Sequence, residues 1–229
     1  MLDIEEAIVH DSDKLWMKAL CKVLKWYYLL ASARSMPNRV RCDIFVGALH
    51  QLRFRKNPEI IALFGGMRDA PERIAELVEE RKDRFFLIGG NAEEHDFYLR
   101  RLGELGVKNF ISLCGATNTR DEAKKALSLS KAFKAKSLGV LTSEFHATRA
   151  VLTCVKVAIE MDIYIPIIPI IYIDSNRYQM ADDILLVGIL REAMKLAYWQ
   201  KRGHVATFDE AKEYFRPWLE LKDRKTVLR

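Results

Sequence analysis

Cysteine is scarce in this chain of 229 residues, and none of its four cysteines forms a CxxC pair. No histidine lies near one of them at metal-ligand spacing, so the sequence predicts neither a disulfide framework nor a cysteine-based metal site. The cysteines are Cys21, Cys42, Cys114 and Cys154. Isolated thiols are typical of a reducing compartment, and we therefore expect a cytoplasmic protein whose thiols are buried.

Long apolar runs are also missing. The longest, residues 163–173, contains Pro166 and Pro169 and is shorter than the roughly 18 apolar residues of a membrane-spanning helix. Acidic residues at positions 3, 5 and 6 precede any apolar stretch, which argues against a secretory signal. These absences predict no membrane span and agree with a cytoplasmic location.

The chain lacks the short motifs of common nucleotide and hydrolase sites, since it contains no GxGxxG, no P-loop and no GxSxG. A net charge of +6 suits an anionic partner such as phosphate or a nucleotide. The basic residues are scattered among acidic ones, a pattern typical of solvated faces rather than of a nucleic-acid interface.

The first 56 residues have a helical pattern of apolar positions, interrupted by a turn at Pro37. Asp43 would then cap a second helix, and a strand over residues 42–46 is the alternative. We therefore divide the chain into an N-terminal helical segment, residues 1–56, packed on the core of an α/β domain, residues 57–229.

From residue 58 onward, short apolar runs alternate with amphipathic helices. The runs begin about 25 to 28 residues apart, which is the length of a strand, a helix and two short loops. Their continuous apolar character suits strands that are covered on both faces of a parallel sheet. We predict strands at residues 60–64, 85–88, 110–113, 138–141 and from 163 onward.

This alternation predicts an α/β fold of Rossmann-like type, a three-layer sandwich with a mainly parallel sheet. Two helices would follow the last strand, a long one at residues 181–201 and a short one from about Thr207 to Tyr214. In such a sheet, ligands bind outside the carboxyl ends of the strands, so the residues that follow each strand are the candidates for function.

Glycines follow the first two predicted strands. Gly65 and Gly66 end the first, and Gly89, Gly90 and Asn91 end the second. Because glycine lacks Cβ, the backbone can approach a ligand closely at these turns. The helix after Gly66 would offer free amides to an anion, with Arg73 near its start. A tight turn beside a surface arginine is the alternative.

Polar residues follow the third strand, namely Thr117, Asn118 and Thr119, with Asp121 and Glu122 in the next helix. Hydroxyl and amide groups suit the recognition of a sugar or ribose, and the acidic pair suits metal binding or proton transfer. Ordinary helix capping explains the same residues equally well.

Ser143, His146 and Arg149 follow the fourth strand. His146 and Arg149 are three residues apart and share a helix face, where they would supply an imidazole that titrates near neutral pH and a bidentate clamp for an anion. A structural role for His146 is the alternative. A nucleophilic Ser143 with His146 as its base is disfavoured by the missing GxSxG turn.

Four short segments occur in a set order, at residues 60–66 with Arg73 after them, at 87–90 with Glu94, at 116–123 (ATNTRDEA) and at 142–150 (TSEFHATRA). Together they resemble the YdcF, SanA and ElyC-like family, whose motifs include S-x-N-T-x-E-N-A and TS-x-FH-x-x-RA. The resemblance covers about residues 58–174. Departures include Ile88 and Ala116 at usual serine positions, and Asp121-Glu122 at the usual Glu-Asn.

The resemblance implies a Rossmann-like fold, a site at the strand ends, and a role in envelope or polysaccharide metabolism. Joined to the residue pattern, it leads us to expect binding of an anionic, phosphorylated or nucleotide-like small molecule. Binding of S-adenosylmethionine, which has been considered for the family, and a non-enzymatic regulatory or interaction module are the alternatives.

Overall fold

The protein is described here from a computed structural model, which covers residues 36–51, 58–64, 70–80, 85–88, 92–108, 110–113, 116–172 and 182–226. The described residues form seven helices and five strands in an alternating order. They are α1 (Met36–Gln51), β1 (Ile60–Leu63), α2 (Ala70–Glu80), β2 (Phe85–Ile88), α3 (Ala92–Glu104), β3 (Phe110–Ser112), α4 (Thr119–Ala132), β4 (Leu138–Ser143), α5 (Glu144–Glu160), β5 (Ile167–Tyr172), α6 (Asp182–Lys201) and α7 (Phe208–Thr226).

The predicted α/β fold and parallel sheet are confirmed. The five strands lie in the order β3-β2-β1-β4-β5, and every neighbouring pair is parallel. The chain runs outward from β1 to β3 and then returns to the other side of β1 to form β4. The order of the strands therefore reverses between β1 and β4, which is the switch point where open parallel sheets bind ligands.

The sheet separates two apolar clusters. Ile60 and Ala62 of β1 belong to one cluster, while Ile61 and Leu63 belong to the other, because successive side chains of a strand point to opposite faces. Helices α1, α4, α5, α6 and α7 supply the first cluster, and α2 and α3 supply the second. Burial on both faces explains why β1 is apolar throughout.

Helix α1 corrects the prediction for residues 37–46. The helix already begins at Met36, so Pro37 lies in its first turn, where the missing amide is tolerated. Neither the turn at Pro37 nor the strand over residues 42–46 is present. Asp43 lies inside the helix rather than at its start, and it accepts hydrogen bonds from Arg39 Nε at 2.6 Å and from the Thr148 hydroxyl.

Helix α7 is longer than predicted, since it continues past Tyr214 to Thr226 with the exposed Pro217 inside it. Tyr214 and Phe215 belong to the first apolar cluster, against which Trp218 packs. The burial of this aromatic face outweighs the loss of one helical hydrogen bond at Pro217. The predicted helix in residues 1–35 lies outside the described residues.

Gly139 gives a test of packing at the centre of the sheet. A Cβ at this position would lie 2.8 Å from Pro58 Cγ and 2.9 Å from Ile170 Cδ1. We expect Gly139→Ala to lower the free energy of unfolding by about 1–3 kcal/mol, because a filled core must shift to admit the methyl group. Urea unfolding measures this effect.

Gly103→Ala is the matched control, because it lies in α3 and its added Cβ would meet no atom within 4 Å. We expect this change to stabilise the protein by up to about 1 kcal/mol, since alanine is the better helix former. Equal effects at both positions would contradict the packing described around Gly139.

Candidate functional site

The carboxyl ends of β1 and β4 lie side by side. Leu63 pairs with Leu141, and the amide of Phe64 donates to the carbonyl oxygen of Leu141 at 2.9 Å. β4 continues beyond this point through Thr142 and Ser143, and α5 begins at the next residue. The start of α5 is therefore placed at the switch point of the sheet.

The first turn of α5 differs from that of α4 in its capping. Asn118 caps α4, since its Oδ1 accepts hydrogen bonds from the amides of Arg120 and Asp121 at 3.0 and 3.1 Å. Ser143 occupies the equivalent position of α5, but its side chain makes no capping hydrogen bond within the described residues. First-turn amides without such a cap are suited to a bound anion.

Two buried polar atoms lie at this strand-helix junction. They are Thr142 Oγ1 and His146 Nε2, and neither has a hydrogen-bond partner among the residues that the structure describes. Thr142 is fully buried and His146 is 9% exposed. We call these two atoms the switch-point pair. A buried polar atom left unpaired costs about 1–3 kcal/mol, which a ligand or a water molecule that pairs with it recovers.

The other ring nitrogen of His146 faces a carboxylate. Its Nδ1 lies 3.7 Å from Oε2 of Glu192 in α6. Burial lowers the pKa of His146 below the ordinary value of 6.5; Glu192 opposes this shift, whereas the charges of Arg149 and Lys195 add to it. The imidazole is therefore neutral at physiological pH, as an acceptor of a hydrogen bond or of a proton must be.

Glu192 joins three basic groups. Its carboxylate accepts from Arg149 Nε at 2.8 Å and from Lys195 Nζ at 2.9 Å, besides facing His146. Burial by itself raises the pKa of Glu192, but the hydrogen bonds of His146 and Arg149 and the charge of Arg149 hold the pKa well below its usual range. The carboxylate is consequently ionised at every physiological pH.

Arg149 links this cluster to α4, because its Nη1 donates to Thr119 Oγ1 at 3.0 Å. The structure thus brings together three predicted site residues, Thr119, His146 and Arg149, through Glu192. The sequence reasoning missed Glu192. The signal that could have found Glu192 is its place on α6 between two apolar residues, Leu190 and Ala193, which are both buried.

The residues before α4 mostly contact one another. Asp121 Oδ2 accepts from Thr117 Oγ1 at 2.7 Å and from Asn118 Nδ2 at 2.9 Å. The hydrogen bond from Thr117 lowers the pKa of Asp121. Asp121 therefore takes part in the cap of α4, and the buried Glu122 lies in the same first turn, near Cys154.

Of the remaining predicted residues, Arg73 is not joined to this cluster. Arg73 lies on α2, which packs on the opposite face of the sheet, and it pairs with Glu76 at 2.5 Å. Gly65, Gly66, Gly89, Gly90 and Asn91 lie outside the described residues. Their predicted contacts with a ligand stay predictions.

Another buried histidine lies at the carboxyl edge of β3. The Nε2 atom of His95 is 2.6 Å from Ser112 Oγ at the end of that strand. Nothing in the sequence singles out His95, because it is the pairing of β2 with β3 that brings its helix to Ser112. Unlike His146, this imidazole has a side-chain partner for its Nε2 atom.

A cavity of about 270 Å³ lies between α5 and α1. Its polar lining includes Arg39, Asp43, Glu144 and Thr148. Arg39 Nη2 donates to the carbonyl oxygen of Phe145 at 3.3 Å, so α1 is tied to the first turn of α5. Glu144 therefore lines this cavity, whereas His146 and Arg149 contact α6.

The low pKa of His146 predicts an acid-sensitive fold. Below about pH 6.5 the unfolded chain takes up a proton at this histidine that the native state does not, so the free energy of unfolding falls with falling pH. The slope contributed by His146 approaches about 1.4 kcal/mol per pH unit until the native pKa is reached.

Urea unfolding between pH 7.5 and 5 measures this slope. We expect the wild type to lose more stability across that range than His146→Gln, whose side chain does not titrate. Parallel pH profiles of the two proteins would show that His146 is protonated equally in the native and unfolded states.

Comparisons of the chain with family models, with curated proteins and with solved structures found no match. None of the helices within the described ranges is long and apolar enough to cross a membrane. Over the same ranges, no three His, Cys, Asp or Glu side chains are grouped to hold a metal ion.

Proposed function

We propose that this protein binds an anionic, phosphorylated or nucleotide-like small molecule at the switch point between β1 and β4, as a YdcF-like member of the Rossmann-like class. The observation that carries the proposal is His146 Nε2, a buried ring nitrogen with no hydrogen-bond partner among the described residues, at the place where parallel sheets bind their ligands. The family resemblance of residues 142–150 points to the same junction.

Three further features support an anionic ligand. The first turn of α5 begins at a residue whose side chain makes no cap within the described part of the chain. The positive end of the helix dipole at this turn favours negative charge. Two basic groups, Arg149 and Lys195, pair with the one carboxylate of Glu192. The cluster around His146 therefore keeps an excess of positive charge.

A Rossmann-like arrangement of three layers accounts for the position of the site. The strand order 3-2-1-4-5 is that of the first strands of dinucleotide-binding folds. We propose the YdcF-like relationship on this order together with the four sequence segments, and with it a role in envelope or polysaccharide metabolism.

A thermal-shift screen tests the proposal. It would contain nucleotides, sugar nucleotides, S-adenosylmethionine and inorganic phosphate, each with and without Mg²⁺. A compound present at 100 times its dissociation constant stabilises the native state by about 2.7 kcal/mol, which is a clear rise in melting temperature. We expect a phosphorylated compound to raise the melting temperature of the wild type and to leave the melting temperature of His146→Ala unchanged.

Thr153→Val is the matched control for that experiment. Thr153 is buried on the same helix, and its hydroxyl donates to the carbonyl oxygen of Arg149 at 2.7 Å, away from the switch-point pair. The control should keep the ligand response while losing comparable stability. A response that survives in His146→Ala, or no response to any compound, would contradict the proposed site; a shift with S-adenosylmethionine alone would favour the alternative ligand.

A further inference from the structure

The surroundings of the neutral His146 ring determine which of its two nitrogens carries the proton. Nδ1 lies 3.7 Å from a Glu192 oxygen that is ionised at neutral pH. A bare Nδ1 would direct its lone pair at that negative oxygen, whereas a protonated Nδ1 directs a positive N–H dipole at it. The carboxylate therefore favours the tautomer with hydrogen on Nδ1, which leaves Nε2 as an acceptor.

Within the described residues, the charged groups around the ring meet at Glu192, which lies on the Nδ1 side. Glu192 and Lys195 reach the site from α6, Arg149 lies one turn along α5, and Thr119 reaches Arg149 from α4. Arg149 uses Nε and Nη2 on Glu192, at 2.8 and 3.4 Å, and Nη1 on Thr119. Its guanidinium group is thus engaged in holding the carboxylate, which makes Arg149 and Glu192 positioning residues for His146.

An acceptor at Nε2 requires the ligand to supply a hydrogen-bond donor at this position. A fully ionised phosphate group carries only acceptors, so it gains nothing from a bare Nε2 atom. A hydroxyl group donates one hydrogen bond to Nε2 and still accepts others. Thr142 Oγ1, the second member of the switch-point pair, can donate or accept and is suited to a neighbouring hydroxyl.

We infer that the ligand carries a hydroxyl group that donates to His146 Nε2, while its anionic group lies at the first turn of α5, where the Ser143 side chain makes no capping hydrogen bond within the described residues. The ligand class is therefore a phosphorylated sugar or nucleoside rather than a simple phosphate. This inference rests on the proposed function and adds two points to it, the tautomer of His146 and the part of the ligand that meets the ring.

Nitrogen NMR of protein labelled at histidine tests the first point without any ligand. We expect the His146 signals of the wild type to show a protonated Nδ1 and a bare Nε2, and Glu192→Gln to lose that preference. His146→Gln, which removes one of the five histidines of the chain, assigns the His146 signals by subtraction. A protonated Nε2 in the wild type would overturn the inference.

Paired ligands test the second point by titration calorimetry. Adenosine monophosphate is compared with its 2′,3′-dideoxy analogue, and glucose 6-phosphate with inorganic phosphate. We expect the compound with hydroxyl groups to bind at least about tenfold more tightly than its partner in at least one pair, because a site built for a hydroxyl rejects the analogue that lacks it. The ratio of the two affinities within the pair should approach one in His146→Ala and should fall in Thr142→Val.

The outcomes separate the two proposals. Equal affinity within both pairs in the wild type would overturn the hydroxyl inference while leaving an anion site in place. If none of the four compounds binds and the wider thermal-shift screen is also negative, the proposed function falls and the ligand inference with it. Thr153→Val, which should keep the wild-type ratio, controls for damage to α5.

Discussion

Glu192→Ala is expected to lower the free energy of unfolding by about 3–5 kcal/mol, because it leaves buried basic groups without their carboxylate. Glu192 accepts from Arg149 and Lys195 and faces His146, and its side chain is only 13% exposed. Removing one partner of a buried ion pair leaves an uncompensated charge in a medium that solvates it poorly. Urea unfolding at pH 7 measures the loss.

Glu213→Ala is the control for Glu192→Ala. Glu213 forms an ion pair with Arg216 one turn later on α7, where both side chains are exposed. Exposed pairs contribute little to stability, so we expect a change below about 1 kcal/mol. If Glu192→Ala were equally mild, the cluster around His146 would be solvated, and the assignment of a neutral His146 would lose its basis.

Phe215→Ala is expected to destabilise the protein by about 3–5 kcal/mol through the loss of a buried ring and the cavity that remains. The ring is fully buried and makes edge contacts with Phe45, Tyr214 and Trp218, at centroid distances of 5.8, 5.2 and 6.1 Å. Phe45 lies on α1, so this group of aromatic residues joins the N-terminal helix to the C-terminal one.

Ile44→Ala is the control on the same pair of helices. Ile44 precedes Phe45 on α1 but is 68% exposed, so its truncation should change the free energy of unfolding by less than about 0.5 kcal/mol. Thermal and urea unfolding measure both variants. A mild effect of Phe215→Ala would mean that α7 is not anchored on the core, and that its length beyond Pro217 needs another cause.

The sheet was predictable because the apolar pattern that indicates each strand lies within the strand itself. Residues 85–88 are bounded as predicted, since a short apolar run between Arg84 and Gly89 is typical of a strand that is covered on both faces. β5 begins at Ile167 rather than Ile163. Ile163–Ile165 have the same apolar character, and only the pairing of Leu138 with Ile167 decides where the ladder begins.

The differences from prediction at α1 and α7 have separate physical causes. The predicted turn at Pro37 and cap at Asp43 follow the usual meaning of proline and aspartate where local preference decides. In α1 the first-turn proline is compatible with a helix, and in α7 the buried face of Tyr214, Phe215 and Trp218 outweighs the exposed Pro217. Contacts between distant helices overrode local preference in the second case.

The sequence by itself determined the α/β class, the parallel strands and the position of His146 and Arg149 just after β4, because periodicity and strand ends are local properties of the chain. Only the tertiary structure decided what those two residues contact. It packs α6 against α5, so that Glu192 meets both side chains. No local pattern encodes that contact, since it depends on how helices from distant parts of the chain pack on one face of the sheet.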